Sequence, residues 1–200
     1  MKRILLVLII LNSTAYAQDE RYSISAHFGH SLSGWLYSDT DLRSCFNAGI
    51  EVRRQLKQSG LYLQTGLRWN EYGFGDTIQS YIWNGEDYDV SQDEIKLTFF
   101  YFTVPLIATY KFNKAVPGLT ISAGPQMSVF LFQKSNINGL VSFDSGYNRI
   151  LNFSTYFSMG YEHNIGDRWI LGGEAYSNFI IGADTYYNFG IGISGRYILK

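Results

Sequence analysis

The chain has little of what most enzymes and disulfide-built domains need. It has one cysteine, Cys45, so no internal bridge can form. Of its three histidines, His27, His30 and His163, none is spaced with cysteine or carboxylates as a metal-ligand set. No phosphate loop, dinucleotide fingerprint or G-x-S-x-G elbow occurs, so no catalytic residue, metal or cofactor is expected. Charged residues make up 16% of the chain, well below the roughly 25% of an average soluble domain. Net charge is −1 and no run of like charge occurs, which leaves nucleic acid without a footprint. Helical periodicity is absent, and so is any apolar stretch of 18 residues that could span a bilayer as a helix.

What is abundant is aromatic and small polar: 16 tyrosines, 14 phenylalanines and 20 glycines in 200 residues. The N-terminus reads as an export signal. Lys2 and Arg3 precede the apolar run Ile4 to Leu11, and Ala15-Tyr16-Ala17 has the small-x-small form of a cleavage site. The expected organisation is a signal peptide over 1–17 and one domain over 18–200, starting at Gln18.

The domain shows period-two alternation in eight segments. They cover Tyr22 to His30, Cys45 to Gln55, Leu61 to Trp69, Tyr101 to Phe112, Leu119 to Leu131, Leu151 to Glu162, Trp169 to Phe179 and Tyr187 to Leu199. Polar stretches over Glu71 to Lys96 and Gln133 to Tyr147 read as long loops. Alternation alone also fits a soluble sandwich or lipocalin-like barrel. The distribution of charge decides against these. Glu51, Arg53, Arg68, Lys111, Glu162, Glu174 and Arg196 all fall on the polar rows. The apolar rows carry only Arg54, at a strand end. Lys or Arg on a lipid face costs roughly 2–4 kcal/mol at the bilayer midplane, a penalty that a soluble surface does not impose. Aromatics mark both ends of the apolar rows, Trp69, Phe102, Phe179 and Tyr187 at one and Tyr110, Phe112, Tyr161, Trp169 and Tyr197 at the other, as two interfacial girdles would. Short turns follow the second, fourth and sixth segments and longer connections the first, third and fifth, the pattern of periplasmic turns and external loops. The expected fold is all-β: an eight-stranded antiparallel transmembrane up-and-down β-barrel in the bacterial outer membrane, with both ends of the chain on the periplasmic side.

The chain resembles the PorT-type outer-membrane β-barrel family common in Bacteroidetes. The resemblance rests on Tyr101-Phe102-Thr103-Val104-Pro105-Leu106-Ile107, similar to that family's aromatic-x-x-x-Pro-Leu strand, and on Ala123-Gly124-Pro125. It covers nearly all of the chain after the signal. It implies a porin-family barrel domain, and for one branch a part in protein secretion. Pro105 cannot donate to a ladder and a closed barrel has no edge, so it should sit at a bulge or a ladder gap.

Two sets of residues stand out as candidate sites. Inward Glu51, Arg53, Arg68, Glu174 and Arg196 read as a salt-bridged lumen network, since buried charges need partners. Eight strands leave room only for side chains, so a plugged lumen is expected over a narrow channel for small solutes. Tyr72, Phe74, Tyr81, Trp83 and Tyr88 read as external-loop contacts, aromatic anchors for a partner. The expected partners are outer-membrane lipid and other envelope or secretion proteins, met through external loops or periplasmic turns. A non-enzymatic structural, interaction or secretion-accessory role is expected. A lipid-modifying enzyme built on His30 and Ser177 is the third alternative, for which no oxyanion donor or third residue can be named.

Overall fold

A computed structural model of the chain describes residues 22–35, 41–56, 60–83, 85, 87–112, 116–144, 151–181 and 186–199. The expected signal peptide and the start at Gln18 lie outside these residues. The strands are β1 (Tyr22–Trp35), β2 (Asp41–Leu56), β3 (Leu61–Trp83), β4 (Tyr88–Lys111), β5 (Leu119–Ile137), β6 (Leu140–Asp144), β7 (Leu151–Ile165), β8 (Trp169–Ile181) and β9 (Tyr186–Leu199). All pairings are antiparallel. Eight strands close a ring in the order β1, β2, β3, β4, β5, β7, β8, β9, with β9 paired back to β1 from Leu199↔Tyr22 to Tyr186↔Trp35. Strand β6 stands outside the ring, folded back on the end of β5.

Stagger gives the ring its tilt. Paired residues lead from Tyr22 through Arg54, Leu63, Ala108, Ala123, Phe157, Ser177 and Phe189, and arrive back on β1 at Leu32 instead of Tyr22. Such a shear fixes tilt and diameter together. Every residue on this path belongs to an outward row.

The alternation resolves as the sequence implies, inside out relative to a soluble protein. Ile50, Leu67, Leu171, Ile191 and Ile193 are half or more exposed, whereas Ser25, Glu51, Arg53, Arg68 and Asn178 are nearly inaccessible. The girdles assemble across strands. Trp69 contacts Phe100, Phe102 and Phe132 at one end, and Trp169 meets Tyr197 edge-on at the other.

Two of the expected loops are strands. Glu71 to Lys96 is a hairpin, because β3 and β4 stay paired from Leu61↔Tyr110 up to Trp83↔Tyr88. Pairing of β3 with β2 ends at Asp41↔Gly75, and that of β4 with β5 at Ile95↔Ile137, so the hairpin rises above the ring as a two-stranded ribbon. In Gln133 to Tyr147, β5 runs on to Ile137 and turns back into β6 through Asn138-Gly139. Both turn residues have positive φ, 50° and 87°. This is the mirror-image two-residue turn whose twist suits a hairpin, and Asn-Gly is its strongest sequence signal.

Pro105 sits, as expected, at ladder gaps. Pairing jumps from Thr65↔Leu106 to Arg68↔Thr103 on the β3 side and from Pro105↔Gln126 to Ala108↔Ala123 on the β5 side. Strands β4 and β5 press together there: a Cβ placed on Gly124 would lie 2.8 Å from Ile107 Cα, so glycine is required.

Candidate functional site

The lumen is built in two storeys. At the end that carries the short turns and the paired Tyr22 and Leu199, it is charged. Glu162 of β7 is its centre. Arg53 Nη1 and Arg196 Nη1 both donate to Glu162 Oε1 at 2.5 Å, and Lys111 Nζ lies 3.2 Å from Oε2. These groups come from β2, β4, β7 and β9, alternate strands of the ring, and Arg196 and Arg53 can share Glu162 only because β1 closes the ring between them. Deeper in, Arg68 Nε bonds Glu51 Oε1, and Gln64 Nε2 donates to Glu51 Oε2 at 2.6 Å. Both members of that ion pair are 3% exposed, which leaves no solvent to screen it. Two guanidinium planes lie on rings, Arg53 over Tyr62 at 3.9 Å and Arg68 over Tyr156 at 4.6 Å. Glu174 accepts from Tyr156 Oη at 2.6 Å and has His27 Nδ1 3.4 Å away. The other ring nitrogen of His27 bonds Asn47 Oδ1 at 2.8 Å, and Asn47 Nδ2 donates to Tyr176 Oη.

The opposite storey is aromatic. Tyr72, Phe74, Phe99, Tyr101, Phe130, Ile180 and Tyr186 form one buried cluster, with Trp35 and Leu97 packed against it. Tyr72 meets Tyr101 edge-on at 5.6 Å, and Tyr101 meets Phe130 likewise at 5.6 Å. Between the storeys, Asn70 Nδ2 donates to Thr103 Oγ1, which shares a hydrogen bond with Ser128 Oγ, both at 2.8 Å. Among the described residues, open space lies in and below the charged storey. A pocket of about 30 Å³ lies among His27, Glu51, Tyr156 and Glu174, and one of about 130 Å³ lies at the charged mouth.

The structure thus brings Glu51 together with Arg68, and Arg53 together with Arg196, while Glu174 joins through Tyr156 and His27. Glu162 and Lys111 fall on inward rows in the sequence, but their place in the network they complete shows only in the register, which decides which strands face one another. The external-loop set needs correction. Tyr72 and Phe74 are not loop residues; they continue the inward row of β3 and are 0% and 8% exposed. Trp83 does lie at the tip of the ribbon, 57% exposed. The side chains of Tyr81 and Tyr88 lie outside the described residues. His30 and Ser177 form no pair: β9 runs between them, with His30 opposite Ile191 and Ser177 opposite Phe189, and His30 Nε2 is bonded to Ser44 Oγ at 2.7 Å. Among the described residues no group of three His, Cys, Asp or Glu is placed to hold a metal ion.

No curated protein matches the chain. Solved structures similar to it at low identity include the following. Neisserial surface protein A is 13% identical, with 86% of this chain and 95% of that one covered and a TM-score of 0.47. Ail, the attachment invasion locus protein of Yersinia pestis, is 12% identical, with 91% and 100% covered and a TM-score of 0.47. The N-terminal β-barrel domain of Pseudomonas aeruginosa OprF is 14% identical, with 86% and 96% covered and a TM-score of 0.36. The family described as "Outer membrane protein beta-barrel domain" matches residues 16–192. With a closed ring of eight strands that turns its apolar rows outward, the chain belongs to that family, and its place is the bacterial outer membrane.

Proposed function

We propose that the protein is a non-enzymatic outer-membrane scaffold with a blocked lumen, which acts by interaction through the face that bears its long hairpins. The observation that carries this reading is the aromatic storey. Tyr72, Tyr101 and Phe130 are 0%, 1% and 6% exposed, so their rings fill the section a solute would have to cross. Beneath them Glu51, Glu162 and Glu174 are each held by a cation or a tyrosine. Such paired groups fix the wall and leave no row of mobile charge for an ion to follow.

The interaction half of the reading rests on the two ribbons. Trp83 and Val90 on the β3–β4 hairpin and Leu140 and Val141 on β6 are each about half exposed or more. Aromatic and aliphatic groups displayed beyond the girdles, where no lipid covers them, suit contact with another envelope or secretion protein. The PorT-type branch, with a Bacteroidetes source, is part of the proposal, supported by Tyr101 to Ile107 and by Ala123-Gly124-Pro125. So are the export signal over 1–17 and a mature chain starting at Gln18.

Planar-bilayer recording tests the blocked lumen. The purified barrel should show no steady conductance, and Tyr72→Ala with Tyr101→Ala should open small steps. Large, stable steps from the unaltered protein refute the plug and favour the channel.

A further inference from the structure

The charged mouth holds more cation than its own carboxylate can satisfy. Arg53, Arg196 and Lys111 converge on Glu162, three positive charges on one negative. The two arginines use one nitrogen each on it. Arg53 Nε and Nη2 and Arg196 Nε are buried and have no hydrogen-bond partner among the described residues. Arg53 is 2% and Arg196 6% exposed, so bulk water does not reach these groups freely. A buried donor without an acceptor costs roughly 1–3 kcal/mol, and more when charged.

The side chains that carry these donors line open space. Arg53, Arg196, Lys111 and Glu162 all line the pocket of about 130 Å³, together with Ser23 and Tyr62. That volume is close to the roughly 150 Å³ of an engineered apolar cavity that holds benzene, so a small tetrahedral anion fits. The face of the Arg53 guanidinium is taken by Tyr62, which leaves its edge, where the N–H groups point, as the binding direction. Arginine edges suit the oxygens of a phosphate, which accepts two parallel N–H bonds at once.

We propose that this mouth is a binding site for a phosphate-class oxyanion, held by Arg53, Arg196 and Lys111, with Glu162 limiting its affinity by repulsion. The chemistry has two sources at that end of the barrel: free phosphate in the periplasm and the phosphodiester of an inner-leaflet lipid. The proposal does not depend on the blocked lumen, and the conductance result leaves it standing.

The test uses the whole barrel in neutral, phosphate-free detergent at fixed ionic strength. Inorganic phosphate is titrated by calorimetry in one arm. In the other, the micelles are doped with phosphatidylglycerol or, as control, with diacylglycerol. Saturable one-site binding of phosphate, displaced by sulfate and not by chloride, is the expected result. Lys111→Gln should weaken it by roughly fivefold, and Glu162→Gln should tighten it by a similar factor, since each changes one charge at a partly wet rim. Lys111 is the more exposed of the two, so its variant carries the test if Glu162→Gln does not fold, folding being checked by the heat-sensitive gel shift of an intact barrel. Binding of the anionic lipid alone, with the same dependence on the variants, assigns the site to a lipid headgroup. The proposal is overturned if neither probe binds saturably, or if binding ignores both substitutions.

Discussion

The facing of β9 can be tested by one substitution whose cost follows from geometry. Tyr187 and Tyr197 sit at the two girdles, each in contact with a neighbouring aromatic, Phe189 and Trp169 respectively. At about 3.3 Å per residue, the strand between them is about 33 Å long. A tilt of about 40° brings that to about 25 Å of height, which matches the apolar band of an outer-membrane barrel. Ile191 then lies about 10 Å inside the outer girdle, close to the midplane. It is 70% exposed on the ring and points outward. Ile191→Arg should therefore lose roughly 2–4 kcal/mol of folding free energy in a bilayer. Leu140→Arg is the control. Leu140 is still more exposed, at 79%, but stands on β6 beyond the ring, where water takes the place of lipid. Its substitution should change stability by about 0.5 kcal/mol or less. Both are measured by urea titration of the refolded protein in phospholipid vesicles. If the two arginines cost the same, the outward rows do not face lipid and the reasoning fails.

Breaking the deep ion pair should be costly: Arg68→Leu leaves Glu51 uncompensated and should lose about 3–5 kcal/mol in the same titration, whereas Glu51→Leu with Arg68→Met should recover most of that loss. The form isolated from outer-membrane fractions should begin at Gln18 on N-terminal sequencing. Retention of Lys2 and Arg3 would contradict the export signal.

The ring was legible because each strand has lipid on one side and lumen on the other, which forces period two. That constraint lapses where both faces are wet. In Asp76-Thr77-Ile78-Gln79 the alternation fades, so the sequence of the ribbon reads as a loop. The parity that sends Arg68 inward also sends Tyr72 and Phe74 inward, so their burial was readable in principle. It was hidden by Glu71, a charge on the outward row whose carboxylate caps Phe46 N at 3.1 Å. The hairpin to β6 carried its own signal in Asn138-Gly139. What no pattern could supply was the company of Glu162. Parity places a side chain inside the barrel; which groups it then meets depends on the stagger, and that is a property of the closed ring.

The seam between β1 and β9 ties Tyr22 to Leu199, a contact that spans nearly the whole chain. Contacts so distant in sequence form slowly, because the loop must close before anything is gained. Until then β1 and β9 each present an open row of backbone donors and acceptors. Arg196 arrives with β9, so Arg53, Lys111 and Glu162 meet their fourth member only as that strand docks. The wall and the charge cluster are thus completed in a single event, and a chain stalled one strand short would be caught with its arginine and its edges exposed together.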